Sequence, residues 1–103
     1  MRMSDIYVEG TLAGTLSEIE RGKRYIFQYR DDYSGRPVSL RMPTSTREYM
    51  FETFPPFLEG VLPEGMMLEA LLKQRKLDRD DLFGQLMAVG EDLVGAVTAK
   101  EVA

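Results

Sequence analysis

Apolar and polar residues alternate along the first part of the chain and recur at helical spacing along the last part, with the change falling after Pro43. Ile6, Tyr7 and Val8 and then Thr11 and Leu12 flank Glu9-Gly10, a tight-turn pair. This predicts a hairpin over 5–16, with Gly14 at a bulge or a close backbone approach. A second turn falls at 20–23. Residues 24–30 then alternate, with Tyr25, Phe27 and Tyr29 on one face and Arg24, Gln28 and Arg30 with Ile26 on the other. Period two with aromatic enrichment predicts a strand. Residues 31–37 read as a loop, and Val38, Ser39 and Leu40 as a short strand closed by Pro43.

Residues 44–53 show no clear period and read as an irregular, partly extended crossing. Pro55-Pro56 can open a short helix that buries Phe57 and Leu58 and stops at Gly60. A longer helix is predicted over 64–76, with Leu68, Leu71 and Leu72 at i, i+3, i+4 spacing. Asp78 is placed to cap a further helix, with Asp81 near its positive end. Leu82, Phe83, Leu86, Met87 and Val89 form its apolar stripe, Gly90 is its stop, and 95–99 reads as a closing strand. Strands, then helices, then a final strand predict an α+β domain over 1–103: a small antiparallel sheet or mini-barrel capped at one end by two to three short helices. No repeat, linker or low-complexity tract interrupts it.

Composition narrows the chemistry. The 103 residues, 44% hydrophobic and 29% charged, suit one folded core and are too few for a whole kinase, a doubly wound dinucleotide enzyme or a TIM barrel. With no cysteine and no histidine, disulfides, thiol catalysis, zinc sites and histidine-based triads are excluded. The N-terminus leads into polar alternation without an apolar signal core, and no apolar run approaches the ~20 residues of a membrane span. A cytoplasmic location is expected, with no membrane partner. Net charge is −4, spread as eight basic and seven acidic residues over 1–49 and five basic and ten acidic over 50–103. That balance argues against nucleic acid as the main partner.

Several constellations invite a chemical reading and then lose it. Tyr25, Phe27 and Tyr29 beside Lys23, Arg24 and Arg30 could stack bases, but strand alternation sends rings and cations to opposite faces. Asp31/Asp32, Asp80/Asp81 and Glu91/Asp92 are adjacent pairs at turns or helix starts, where acids are ordinary. Gly84, Gly90 and Gly95 lack the Gly-Lys-Ser/Thr of a phosphate loop, and Ser39, Ser45 and Thr46 have no histidine to activate them. No enzyme activity, metal or cofactor is expected. Leu62-Pro63-Glu64-Gly65-Met66-Met67 stands apart. On a helical wheel Met67, Leu68, Leu71 and Leu72 share an arc of about 140°, which assigns them to the core, while Met66 falls opposite with Glu69, Ala70 and Lys73. A solvent-facing methionine is an adaptable contact residue for a partner pocket, or simply an exposed side chain.

Read in order, five stretches resemble the N-terminal subdomain of HipA-type serine/threonine kinases. They are Tyr7-Val8-Glu9-Gly10-Thr11-Leu12-Ala13-Gly14-Thr15-Leu16, Val38-Ser39-Leu40-Arg41-Met42-Pro43, Phe57-Leu58-Glu59-Gly60-Val61-Leu62-Pro63-Glu64-Gly65, residues 81–90 (Asp81-Leu82-Phe83 through Val89-Gly90), and Glu91-Asp92-Leu93-Val94-Gly95-Ala96-Val97. Gly60 departs from the family's usual asparagine. The catalytic core that follows in such kinases is absent from the 103 residues, so the chain resembles HipS, the small component of tripartite HipBST toxin–antitoxin systems. The resemblance implies an antitoxin that binds and neutralises a HipT-like kinase near its active site, with a HipB-like helix-turn-helix protein in a ternary complex. It also implies a partner-binding site at Glu64, Gly65, Met66 and Met67. The alternative is a non-inhibitory assembly subunit, or a fragment, of a HipA-type kinase.

Overall fold

The computed structural model describes residues 1–102; Ala103, the last residue of the expected domain, lies outside them. Five antiparallel strands form one sheet in the order β4-β3-β2-β1-β5. They are β1 (Arg2–Val8), β2 (Thr11–Glu20), β3 (Lys23–Tyr29), β4 (Glu48–Phe51) and β5 (Val97–Glu101). Three helices intervene, α1 (Pro56–Glu59), α2 (Gly65–Arg75) and α3 (Leu82–Val89), and a 3₁₀ turn at Gly90–Asp92 leads back to the sheet. The α+β class is the expected one. β4 and β5 are the two edges, so the sheet is open and the mini-barrel option falls.

The hairpin runs further than predicted, because Arg2 pairs with Glu18 well beyond the turn at Glu9-Gly10. Ile6 pairs with Gly14 but Tyr7 pairs with Leu12, which leaves Ala13 as the extra residue of a bulge. Gly14 is also a close approach: a Cβ there would collide with the Gln28 carbonyl and the Phe27 ring. Tyr25, Phe27 and Tyr29 all face inward and are almost wholly buried. Tyr25 meets Phe54 and Phe83, and Phe27 meets Phe57, with ring centroids 5.6–6.3 Å apart. Leu58, Phe83 and Leu86 complete this layer at zero exposure, each contributing ~1.5–3 kcal/mol by its burial. The inward rings rule out the base-stacking reading.

Three local expectations are corrected. Residues 38–40 form no strand. Pro37 and Pro43 flank them, and the buried Tyr29 hydroxyl takes over the role of a ladder: it accepts from the Val38 N–H at 2.9 Å and donates to the Met42 carbonyl at 2.6 Å. The predicted irregular crossing contains β4, whose inward Tyr49 and Phe51 alternate with Glu48 and Met50. The apolar Met50 on the outer side hides that alternation in the sequence. The cap of α3 is Asp81 and not Asp78; the Asp81 carboxylate accepts the Gly84 N–H at 3.0 Å. Gly90 is the stop of α3, as expected, but without a left-handed turn, since its φ is −55° and the chain continues as a 3₁₀ turn. It is required instead because a Cβ would strike Ala99 of β5.

Candidate partner-binding site

The tip between α1 and α2 is built outward from the core. Phe57 packs on Phe27 and Phe51, while Leu58 and Leu62 are buried beneath the sheet's aromatic layer. Pro63 then carries the chain to the surface. Glu64 is extended at φ −131°, and Gly65 takes φ +60°, a left-handed conformation that favours glycine. Glu64 makes no side-chain cap hydrogen bond, leaving its carboxylate free at the start of the helix. The two residues turn the chain abruptly into α2, and the first side chains to emerge are Met66, 89% exposed, and Met67, 75% exposed. All four predicted site residues therefore lie together on one exposed turn.

The wheel is right about Met66 and wrong about Met67. No residue of α2 is buried; Leu68, Leu71 and Leu72 are half-buried, and Met67 lies outside their contact with the body of the domain. The reason is tertiary. α2 touches the body mainly along its approach to α3, which covers a narrower stripe than the wheel allots. An exposed ion pair between Arg79 and Glu69 joins it to the segment before α3, a contact of small energetic weight. The helix ends with Lys76 in the left-handed region at φ 54°, and Lys73 and Arg75 lie in its last turn. The tip thus presents two flexible thioethers beside one carboxylate, with cations a few turns away. It is a surface suited to making contacts.

A second polar cluster escaped the sequence reading. Arg2 donates Nε to Glu18 Oε1 at 2.8 Å and clamps Asp81 with two N–H groups at 2.8 and 3.2 Å, its guanidinium 5.1 Å from the centre of the Phe83 ring. Glu18, 3% exposed, also accepts from the Tyr25 hydroxyl at 3.1 Å and from the Gly22 N–H. Arg21 reaches Asp81 from the solvent side. The hydrogen bond from Arg2 holds the Asp81 carboxyl below the usual carboxylate range against the opposing effect of burial. Burial, reinforced by Glu18, pushes the Tyr25 hydroxyl up to about 12. Among the described residues no buried side-chain polar atom lacks a partner, so the cluster is a closed structural clamp between β1, β2, β3 and α3. Glu18 on the inner face of an amphipathic strand was the signal available in the sequence.

Asp32 pairs with Arg30 at 3.1 Å beside a shallow hollow lined by Thr15, Gln28 and Asp31, and Glu9 pairs with Arg36 at 2.7 Å. Among the described residues no group of three acids is placed to hold a metal ion, and no helix is long and apolar enough to cross a membrane.

Comparison with known proteins agrees with this fold. An uncharacterized protein of Haemophilus influenzae is 31% identical over 101 residues, a match that takes in 98% of this chain and 93% of the relative. A solved structure described as the N-terminal domain of HipA toxin superposes with a TM-score of 0.78 at 27% identity, covering all of this chain and 94% of the other. The model of the family described as HipA N-terminal domain matches residues 4–100. With that match running from β1 through β5 and the same fold found in a HipA toxin, the chain belongs to the HipA N-terminal domain family.

Proposed function

We propose that this protein is an antitoxin that binds a HipT-like serine/threonine kinase and neutralises it by contact at the turn around Met66. The observation that carries the reading is the exposed methionine pair, held out from a rigid base by the Glu64-Gly65 turn on a helix with no buried residue. Family membership supplies the toxin–antitoxin setting. The match takes in 93% of the Haemophilus relative, so that protein holds little beyond this domain. A HipA N-terminal domain is not the catalytic part of the kinase, so the action proposed is binding rather than phosphotransfer. The helical half of the chain, with five basic and ten acidic residues over 50–103, suits a basic partner surface. A HipB-like DNA-binding protein would join as a third component.

The test is co-expression with a HipT-like kinase, scoring growth and co-purification. Rescue of growth together with a stable complex supports the proposal. Association without rescue would favour the assembly-subunit reading, and no association would remove both.

A further inference from the structure

One face of the sheet is covered by helices and loops; the other is open. β2 is the middle strand, with β3 and β4 on one side and β1 and β5 on the other. On the open face, paired positions form rows across the strands. One row runs Met50, Ile26, Ser17, Met3 and extends to Val102, whose N–H donates to the Met3 carbonyl at 3.0 Å. The next runs Glu48, Gln28, Thr15, Asp5, Lys100. The first row is apolar on both flanks and small at its centre, with Met50 64% exposed. The second is acidic at the β4 edge and basic at the β5 edge.

We propose that this open face is a self-association surface, on which two copies stack sheet to sheet about a twofold axis lying along β2. Such an axis places β2 over itself, β3 over β1 of the second copy and β4 over its β5. Each position then meets a complement. Met50 lies over Val102 and Ile26 over Met3, while Glu48 faces Lys100 twice, once in each direction. Gln28 meets Asp5. Ser17 and Thr15 meet their own copies on the axis, and their small side chains let the sheets approach to the ~10 Å of aligned packing. The twist of such packing shifts the edges by a few ångströms, within the reach of glutamate and lysine side chains. An axis across the strands would instead set Glu48 against Glu52, a like-charge contact. The face spans five strands at ~4.8 Å each, at the small end of specific interfaces, so micromolar association is expected.

Because the chain has no cysteine, an introduced thiol is its only one. Ser17→Cys lies on the axis, and because facing positions on stacked sheets are too far apart for a direct disulfide, its two thiols are expected to be joined by a short bifunctional thiol cross-linker. Gln28→Cys alone is not expected to be joined, but mixed with Asp5→Cys it is expected to give the cross-linked heterodimer. By sedimentation, Glu48→Lys should weaken the dimer at least ~10-fold and Glu48→Lys with Lys100→Glu should restore it. Met66→Asp should leave the dimer unchanged, which separates this surface from the kinase contact. A monomer at submillimolar concentration, equal cross-linking by Gln28→Cys and Ser17→Cys, or a charge swap that fails to restore the dimer would each overturn the proposal.

Discussion

Arg2 and Asp81 join the first strand to the last long helix by a two-pronged ion pair, with N–O distances of 2.8 and 3.2 Å. The same carboxylate caps α3 through the Gly84 N–H, so one side chain fixes both where the helix begins and which strand it lies against. α3 carries Phe83 and Leu86 into the core, and this clamp orients them.

Asp81→Ala should therefore cost more than a lost cap, about 2–4 kcal/mol, because it also strips Arg2 of a partner in a partly buried place. Asp81→Asn keeps a capping oxygen and should cost about half as much. Urea unfolding of the two variants beside the parent measures the difference. The Arg2 pair lowers the folded carboxyl below its ordinary value of 3.8, so the unfolded chain binds the proton more tightly. The stabilisation is present above 3.8 and is lost as pH falls through the folded value. Asp81→Asn should flatten the acid limb of a stability–pH curve; an unchanged limb would remove Asp81 as its source.

At the alkaline end the sign reverses. The Tyr25 hydroxyl, pushed up to about 12 from 10, keeps its proton better in the folded chain than in the unfolded one. Its contribution is complete below pH 10 and is lost as pH rises towards 12. Tyr25→Phe should reduce the loss of stability across that window, read by fluorescence or circular dichroism melts.

Tyr29→Phe removes the hydroxyl that serves both Val38 and Met42. A buried N–H and a buried carbonyl lose their partner together, a cost of about 1–3 kcal/mol. Amide exchange at Val38 should accelerate more than exchange within β2, because the hydroxyl stands where a neighbouring strand would otherwise be.

Met66→Asp should leave the melt of the isolated domain within ~0.5 kcal/mol of the parent, since the side chain is 89% exposed. In the proposed complex with a HipT-like kinase it should cost about 2 kcal/mol, a ~30-fold loss of affinity, and abolish growth rescue. Leu68→Asp, on a half-buried position, should loosen α2 without unfolding the domain, whereas Leu58→Ala in the core should cost ~2–5 kcal/mol. Full rescue by Met66→Asp would take the methionine out of the contact.

Much of this was legible in the sequence because the information was local. The alternation of Tyr25, Phe27 and Tyr29 decides which face of β3 is inside, and the Glu9-Gly10 pair places the first turn. The run of five motifs placed the family, and the Pro63-Glu64-Gly65 sequence marked the turn that displays Met66. What the tertiary structure decided depended on partners far away in the chain. Residues 38–40 have strand-like composition but no neighbouring strand, since the Tyr29 hydroxyl occupies their hydrogen-bonding groups. Glu48–Phe51 lacks a clean pattern yet becomes β4 because β3 offers an unpaired edge. Met67 belongs to the apolar arc of its helix, but the domain covers too narrow a stripe of α2 to reach it. The Arg2–Glu18–Asp81 clamp brings together residues that no spacing rule connects, because a charge finds its counter-charge through the folded backbone and not along the sequence.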